Sequence, residues 1–103
     1  MFARVLSSKV KPGMWHDYER YYNEMVVPPT QKMKGFRERR LLRSVGSPDE
    51  GVSICVWENK EDLDHYVRSI ERETIVREAE NFLSQYSVSD FEIRVTAVHV
   101  GLF

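Results

Sequence analysis

Hydrophobic and polar residues alternate with period two over residues 52–57, and this is the clearest pattern in the chain. Such an alternation predicts a strand with one aliphatic face and one face that carries Ser53, Cys55 and Trp57. Asn59 then fits a helix N-cap, and the apolar positions after it recur at helical spacing: Leu63, Tyr66, Val67 and Ile70. The pattern therefore predicts a strand that leads directly into an amphipathic helix.

The same two periodicities predict the other elements. Residues 2–10 alternate loosely as a first strand, and aromatic residues recur at helical spacing from Met14 to Val26. Pro28 and Pro29 should interrupt this first helix, because each lacks an amide proton. Residues 36–45 form a predicted strand whose arginines suit a sheet edge. Residues 75–86 carry the apolar stripe of a further helix, and residues 91–98 alternate as a last strand.

This order of elements predicts an α+β fold of the ferredoxin-like βαββαβ type, an antiparallel sheet with its helices on one face. We assign the more aliphatic side of each strand to the helices. The second strand contributes either Arg37 and Arg39 or Arg40 and Leu42 to the other, open face, depending on its register. That face also holds Arg4, Cys55, Trp57 and Arg94. Its mixture of an aromatic ring and charges indicates either a ligand pocket or a dimer interface, and both alternatives stay open.

The composition narrows the class of protein without naming a partner. The chain has 103 residues, 42% of them hydrophobic and 30% charged, which predicts a single domain over residues 1–103. A net charge of -1 argues against nucleic acid and anionic membranes as partners. The lone Cys55 suits a reducing interior, and no apolar run is long enough for a signal peptide or a membrane span. We therefore expect a soluble cytoplasmic protein. Its three histidines are too far apart in sequence to predict a metal site.

Aromatic residues cluster on the first predicted helix. Trp15, Tyr18, Tyr21 and Tyr22 could line a pocket, since a tyrosine combines an apolar ring with a polar tip. Aromatic residues at helical spacing are more often plain core, however. The sequence contains no nucleophile elbow, phosphate-binding glycine loop or dinucleotide fingerprint, so it shows no machinery for nucleophilic or hydride chemistry.

The order of elements, the Lys11-Pro12-Gly13 turn into an aromatic helix, and the run VWENKEDLxxYxxS from Val56 to Ser69 resemble the antibiotic biosynthesis monooxygenase family of dimeric α/β barrels. The resemblance implies a homodimer whose two sheets form a barrel, with a cavity inside the barrel or between each sheet and its helices. The family includes cofactor-independent oxygenases of polycyclic phenols, haem-degrading enzymes and enzymes that handle quorum-sensing sugars. Trp57 fits the aromatic residue that closes the third strand in this family.

The resemblance leads to the hypothesis of a cofactor-independent monooxygenase, with no cofactor, that acts on a small aromatic or phenolic substrate. Arg94 or Arg4 would stabilise the phenolate whose electron meets dioxygen. The predicted catalytic residues are Trp57, Tyr66 and Arg94. The predicted substrate-binding residues are Arg4, Trp15, Tyr18, Tyr22 and Cys55. The alternative is a non-catalytic dimeric domain that binds a small metabolite or serves as an interface, and the arginine-rich strand and the apolar residues 101–103 favour it.

Overall fold

The computed structural model describes residues 1–101 and contains one antiparallel sheet with its helices on one side. The strands are β1 (Phe2–Val10), β2 (Phe36–Arg43), β3 (Glu50–Trp57) and β4 (Leu83–Glu92), in the order β2-β3-β1-β4. The helices are α1 (Trp15–Tyr21), α2 (Val27–Gln31), α3 (Lys60–Val67) and α4 (Ile70–Ala79). The predicted ferredoxin-like α+β fold is therefore confirmed. Leu102 and Phe103, which belong to the apolar tail noted above, lie outside the described residues.

The first helical region is continuous, so the predicted interruption at Pro28 and Pro29 was wrong. Helix α1 passes through a π-helical turn, Tyr22–Val26, and then into α2. Both prolines lie in the first turn of α2, directly after the π-helical turn, where the hydrogen-bond pattern of the helix changes. None of the helices in the described part of the chain is long and apolar enough to cross a membrane.

The second half of the chain also departs from the predicted boundaries. Helix α4 ends at Ala79, and β4 begins at Leu83 and ends at Glu92, so the second helix and the last strand exist but their predicted bounds, 75–86 and 91–98, were wrong. A tight turn separates the two elements, in which the amide of Phe82 donates to the carbonyl of Ala79 at 2.9 Å. The serines of β4 resemble a loop in sequence, but an edge strand tolerates polar residues because one side of it faces water.

The two faces of the sheet are the reverse of those predicted. Cys55 and Trp57 are buried beneath the helices, where they pack against Leu63 and Tyr66. The aliphatic side of β3 faces away from the helices, with Ile54 paired to Val5 of β1. The physical reason is that beneath the helices Trp57 packs against the rings of Tyr66 and Phe36, and Ser53 hydrogen-bonds to Tyr22. The prediction that the open face carries Arg4, Cys55 and Trp57 was therefore wrong.

Candidate active site

A cavity lies between the covered face of the sheet and the helices. The volume of this cavity is about 50 Å³, which is room for a few water molecules. Leu6, Val26, Leu83 and three aliphatic residues of α4 form much of its wall. Within residues 1–101, no Asp, Glu or His lines the cavity. Its polar lining residues are Arg4, Tyr18, Tyr21, Tyr22, Arg39, Ser53, Cys55, Tyr66, Arg72 and Tyr86.

Arg39 is a charged centre of this cavity, and it connects β2 with the π-helical turn and with α3. Its Nη1 donates to the hydroxyl of Tyr22 at 3.2 Å and to Oγ of Ser53 at 3.4 Å. Its Nη2 donates to the hydroxyl of Tyr66 at 3.2 Å. The guanidinium carbon also lies 5.6 Å from the ring centre of Tyr22 and 5.7 Å from that of Tyr66, within the range of cation–π attraction. Every side-chain hydrogen-bond partner of Arg39 is therefore an uncharged group.

The charge of Arg39 is uncompensated. Its Nε is buried and makes no hydrogen bond, and no carboxylate within the described chain forms an ion pair with it. An arginine side chain remains protonated in proteins, so the guanidinium cannot neutralise itself as a buried lysine would. A buried charge without a counter-ion is unfavourable. The cavity therefore offers a site for an anionic group.

The π-helical turn brings Tyr22 to Arg39. A π-helical turn inserts extra backbone into a helix, and such turns often lie at functional sites. Here Tyr18, Tyr21 and Tyr22 are all buried on the same side of the helical region. The hydroxyl of Tyr22 lies 2.6 Å from Oγ of Ser53 on β3, which fixes the end of the side chain between helix and sheet.

Tyr66 forms the opposite wall, on α3. The amide of Asp62 donates to Oδ1 of Asn59 at 3.0 Å, which caps α3 and sets the face that it turns toward the sheet. Tyr66 stacks on Trp57 with ring centres 5.0 Å apart, and Phe36 meets the same indole edge-on. Trp57 is fully buried behind Tyr66 and does not line the cavity. Its contribution is to position the tyrosine ring.

Burial keeps the weakly acidic groups of the cavity in their neutral forms. It raises the pKa of Tyr18 to about 12, and it also raises the pKa of Tyr21 and of Tyr22. Burial likewise raises the pKa of the Cys55 thiol, although the nearby Arg39 acts in the opposite direction. These groups are therefore hydrogen-bond donors at neutral pH and are poor proton acceptors.

Six of the eight sequence-predicted site residues come together here. Tyr18, Tyr22, Cys55 and Tyr66 line the cavity with Arg4, and Trp57 lies behind them. The reversal of the sheet faces places the β1 and β3 members of this group beneath the helices. Arg4 is already neutralised, because its Nε and Nη2 donate to the two carboxylate oxygens of Asp90 at 2.9 Å each.

Arg94 and Trp15 lie outside the cavity. Arg94 follows the end of β4, is 81% exposed, and donates to Glu92 at 2.8 Å. Its predicted role required the last strand to include residue 94, but β4 ends at Glu92. Trp15 packs on β3, with the guanidinium carbon of Arg43 5.0 Å from its ring centre and its Nε1 donating to Glu19 at 3.0 Å. Neither residue belongs to the lining of the site.

Sequence reasoning missed Arg39 and Arg72 as site residues. The strand β2 has an irregularity between Phe36 and Glu38, and this shift pairs Arg39 with Cys55 on the covered face. The sequence left that register open. Arg72 carries a readable signal, because it stands at helical spacing before Ile75, Val76 and Ala79, the three other residues of α4 that line the cavity. It is an arginine at a position where an apolar residue is expected.

Comparisons with known proteins give the same picture of the fold. A family model described as "Antibiotic biosynthesis monooxygenase" matches residues 1–83. No curated protein shows significant sequence similarity to the chain. Among solved structures, a mutant of SnoaB, a cofactor-independent oxygenase from Streptomyces nogalater, is similar with a TM-score of 0.81 and 16% identity over 92% of this chain and 94% of that one.

Two further structures show the same similarity. Rv0793 from Mycobacterium tuberculosis has a TM-score of 0.77 and 17% identity, over 94% of this chain and 98% of that one. A conserved protein from Methanosarcina mazei Go1 has a TM-score of 0.77 and 17% identity, over 91% of this chain and 94% of that one. At this level of identity the structures establish a shared fold.

Proposed function

The chain belongs to the antibiotic biosynthesis monooxygenase family, and on this basis we propose that it is a cofactor-independent monooxygenase that oxidises a small phenolic aromatic compound with dioxygen. The observation that carries the proposal is Arg39, whose charge has no carboxylate partner in residues 1–101 and which lies among aromatic rings. A phenolate supplies the negative charge together with a planar ring that packs against tyrosines. SnoaB, which shares the fold, is a cofactor-independent oxygenase.

The proposed reaction starts from the phenolate, because this form gives up an electron more readily than the phenol. The phenolate transfers one electron to dioxygen, and the resulting substrate radical and superoxide combine at a ring carbon that bears hydrogen. The peroxide anion formed there takes a proton from solvent water and becomes a hydroperoxide. Loss of water from this hydroperoxide leaves a quinone. One oxygen atom enters the product, the other leaves as water, and the substrate supplies all the electrons. Arg39 stabilises the phenolate, and Tyr66 holds one side of the ring with Trp57 behind it.

Proton removal falls to solvent water in this scheme. No Asp, Glu or His lines the cavity in the described part of the chain, and burial keeps its tyrosines Tyr18, Tyr21 and Tyr22 protonated. Arg39 assists by favouring the ionised form of the bound phenol, which lowers the pKa of that phenol. The cavity thus promotes ionisation of the substrate through charge, without a general base.

A ring fits the cavity only if its walls move apart, and we propose that α4 moves outward. The present space of about 50 Å³ is smaller than the roughly 150 Å³ cavity that holds benzene in an engineered protein. Helix α4 is suited to such a movement, because none of its residues is fully buried. Its N-terminus stays joined to α3, since Oγ of Ser69 donates to the carbonyl of Tyr66 at 2.6 Å and accepts from the amide of Arg72 at 3.1 Å.

A homodimer formed through the open face of the sheet is part of the proposal. That face presents Val5 and Ile54 at its centre, with Leu42 and Phe91 toward its edges, 44% and 54% exposed. Arg40 and Ser89 lie beside Ile54 and Val5 on this face, and a second copy of the same sheet would cover the apolar side chains between them.

Light scattering tests the dimer directly. The wild type should have twice the chain mass of 12.2 kDa, and Ile54→Glu should be monomeric because a carboxylate would be buried in the interface. Ile70→Glu, on an exposed position of α4, is the matched control and should remain dimeric. A monomeric wild type at micromolar concentration would refute this part of the proposal.

Oxygen consumption tests the activity. Hydroxylated naphthalenes and anthracenes are screened first by thermal shift, because a ligand at about 100 times its Kd adds about 2.7 kcal/mol to stability. Compounds that bind are then assayed with an oxygen electrode. Arg39→Gln should lower oxygen uptake at least tenfold, whereas Arg37→Gln, which removes an exposed arginine paired with Glu58, should not. Binding without oxygen uptake by the wild type would instead support a non-catalytic metabolite-binding domain.

A further inference from the structure

Arg72 is the second cavity arginine whose charge is unused. It lines the cavity from α4, on the helical side, whereas Arg39 enters from the sheet. Arg72 is partly buried, and no carboxylate of residues 1–101 lies within ion-pair distance of it. The acidic residues beside it in sequence, Glu71 and Glu73, are exposed and do not line the cavity. Its guanidinium is therefore free to meet a ligand.

The position of Arg72 is not explained by packing. Residues 72, 75, 76 and 79 recur at the spacing of one helix face, and the last three are the apolar residues that α4 turns toward the cavity. A leucine or methionine at position 72 would extend that apolar face at no electrostatic cost. The other arginine of α4, Arg77, is exposed and lies off this face. The stripe thus carries one cation, at the N-terminal end of the helix.

A count of charges around the cavity indicates what the ligand must carry. Arg4 is neutralised by Asp90, so it contributes little net charge. The phenolate of the proposed function compensates Arg39. One positive charge, that of Arg72, remains without a partner from the described residues. A phenolate without a second anionic group would leave this charge uncompensated.

We propose that the ligand of this cavity carries a second anionic group, a carboxylate, on the part of its ring system away from the phenol, and that Arg72 recognises it. Arginine presents paired N–H donors that match a carboxylate in a bidentate arrangement. Because Arg72 belongs to α4, the same contact draws this helix over the ligand after it has entered. The substrate class is thus an aromatic hydroxy acid. This inference rests on the proposed binding of phenols in the cavity, and it names the group that selects among them.

Two probes that differ only in the carboxylate test the inference: 2-naphthol and 6-hydroxy-2-naphthoate. Their affinities are measured by fluorescence titration for the wild type and for the variants Arg72→Gln, Arg72→Lys and Arg77→Gln. The wild type should bind the hydroxynaphthoate about tenfold more tightly than 2-naphthol, the lower end of the range for a hydrogen-bonded charge, because Arg72 is partly exposed. Arg72→Gln should remove most of this preference, and Arg72→Lys should keep part of it. Arg77→Gln, on the same helix, should keep all of it.

The outcomes separate this inference from the function on which it rests. Equal affinity of the wild type for the two probes, or the same preference in Arg72→Gln as in the wild type, overturns the role of Arg72 and leaves phenol oxidation standing. A preference that depends on Arg72 but comes with no oxygen uptake supports the carboxylate site and overturns the monooxygenase. If neither probe binds, both proposals fall.

Discussion

Replacing Arg39 with glutamine should raise the pKa of a phenol bound in the cavity by about one to two units. The guanidinium stabilises the phenolate and has no such effect on the neutral phenol, so its removal disfavours ionisation. A hydrogen bond to a charged group contributes about 1.5–3 kcal/mol, and one pKa unit corresponds to about 1.4 kcal/mol. Part of the donor capacity of Arg39 is already used by Tyr22, Ser53 and Tyr66, which argues against a larger effect.

The pKa is read from an absorbance titration of 2-naphthol in the presence of excess protein. The wild type should ionise the bound naphthol at lower pH than Arg39→Gln does, and Arg37→Gln, an exposed arginine of the same strand, should match the wild type. Oxygen uptake should follow the same curve and rise with pH through the pKa of the bound phenol. In Arg39→Gln it should reach its plateau at a pH about one to two units higher than in the wild type. Identical bound pKa values in the wild type and in Arg39→Gln would refute the role of this charge.

Two further predictions concern stability. Gly51→Ala should lower the free energy of unfolding by about 1–3 kcal/mol, because a Cβ there would lie 2.7 Å from the carbonyl oxygen of Leu42 and 2.8 Å from the ring of Trp15. Thermal denaturation measures the loss, and Gly46→Ala, where a Cβ meets nothing within 4 Å, is the control; equal Tm values for the two variants would contradict the packing. Ser69→Ala should cost about 1 kcal/mol and speed amide hydrogen exchange in α4, since it removes the cap that joins this helix to α3. Unchanged exchange in α4 would show that the cap does not hold the helix.

The elements that the sequence predicts correctly are those whose signals are local. The alternation in β3, the Asn59 cap and the apolar spacing of α3 lie within 20 consecutive residues and agree with one another. The arginines of β2 likewise place it at an edge, where the sheet has it. These features depend on backbone geometry and on solvent, which act in the same way in any fold.

The features that escape prediction depend on choices between similar alternatives. Each side of β3 carries large apolar side chains, so hydrophobicity alone could not decide whether Ile54 or Trp57 faces the helices. The contacts of Trp57 with Phe36 and Tyr66, which come from other elements, decide it. Phe82 and Leu83 fit the end of a helix as well as the start of a strand, and the pairing of β4 with β1 settles their conformation. The position of Arg39 depends on one irregular step at the start of β2, which no pattern in the residues announces.

Arg39, partly buried and with a fully buried Nε, is the strongest link from structure to function, because packing alone would not select it. A methionine at position 39 would fill much of the same space and would leave no buried Nε without a hydrogen bond. Tyr22 would keep its contact with Ser53 in either case. A chain that retains a partly buried cation against this cost departs from ordinary core packing, and such departures are concentrated where a protein binds or transforms a ligand. Arg72, placed on the apolar stripe of α4, is a second departure beside the same cavity. The proposed ligand, an aromatic ring system with a negative group at each of two points, would give both arginines a partner.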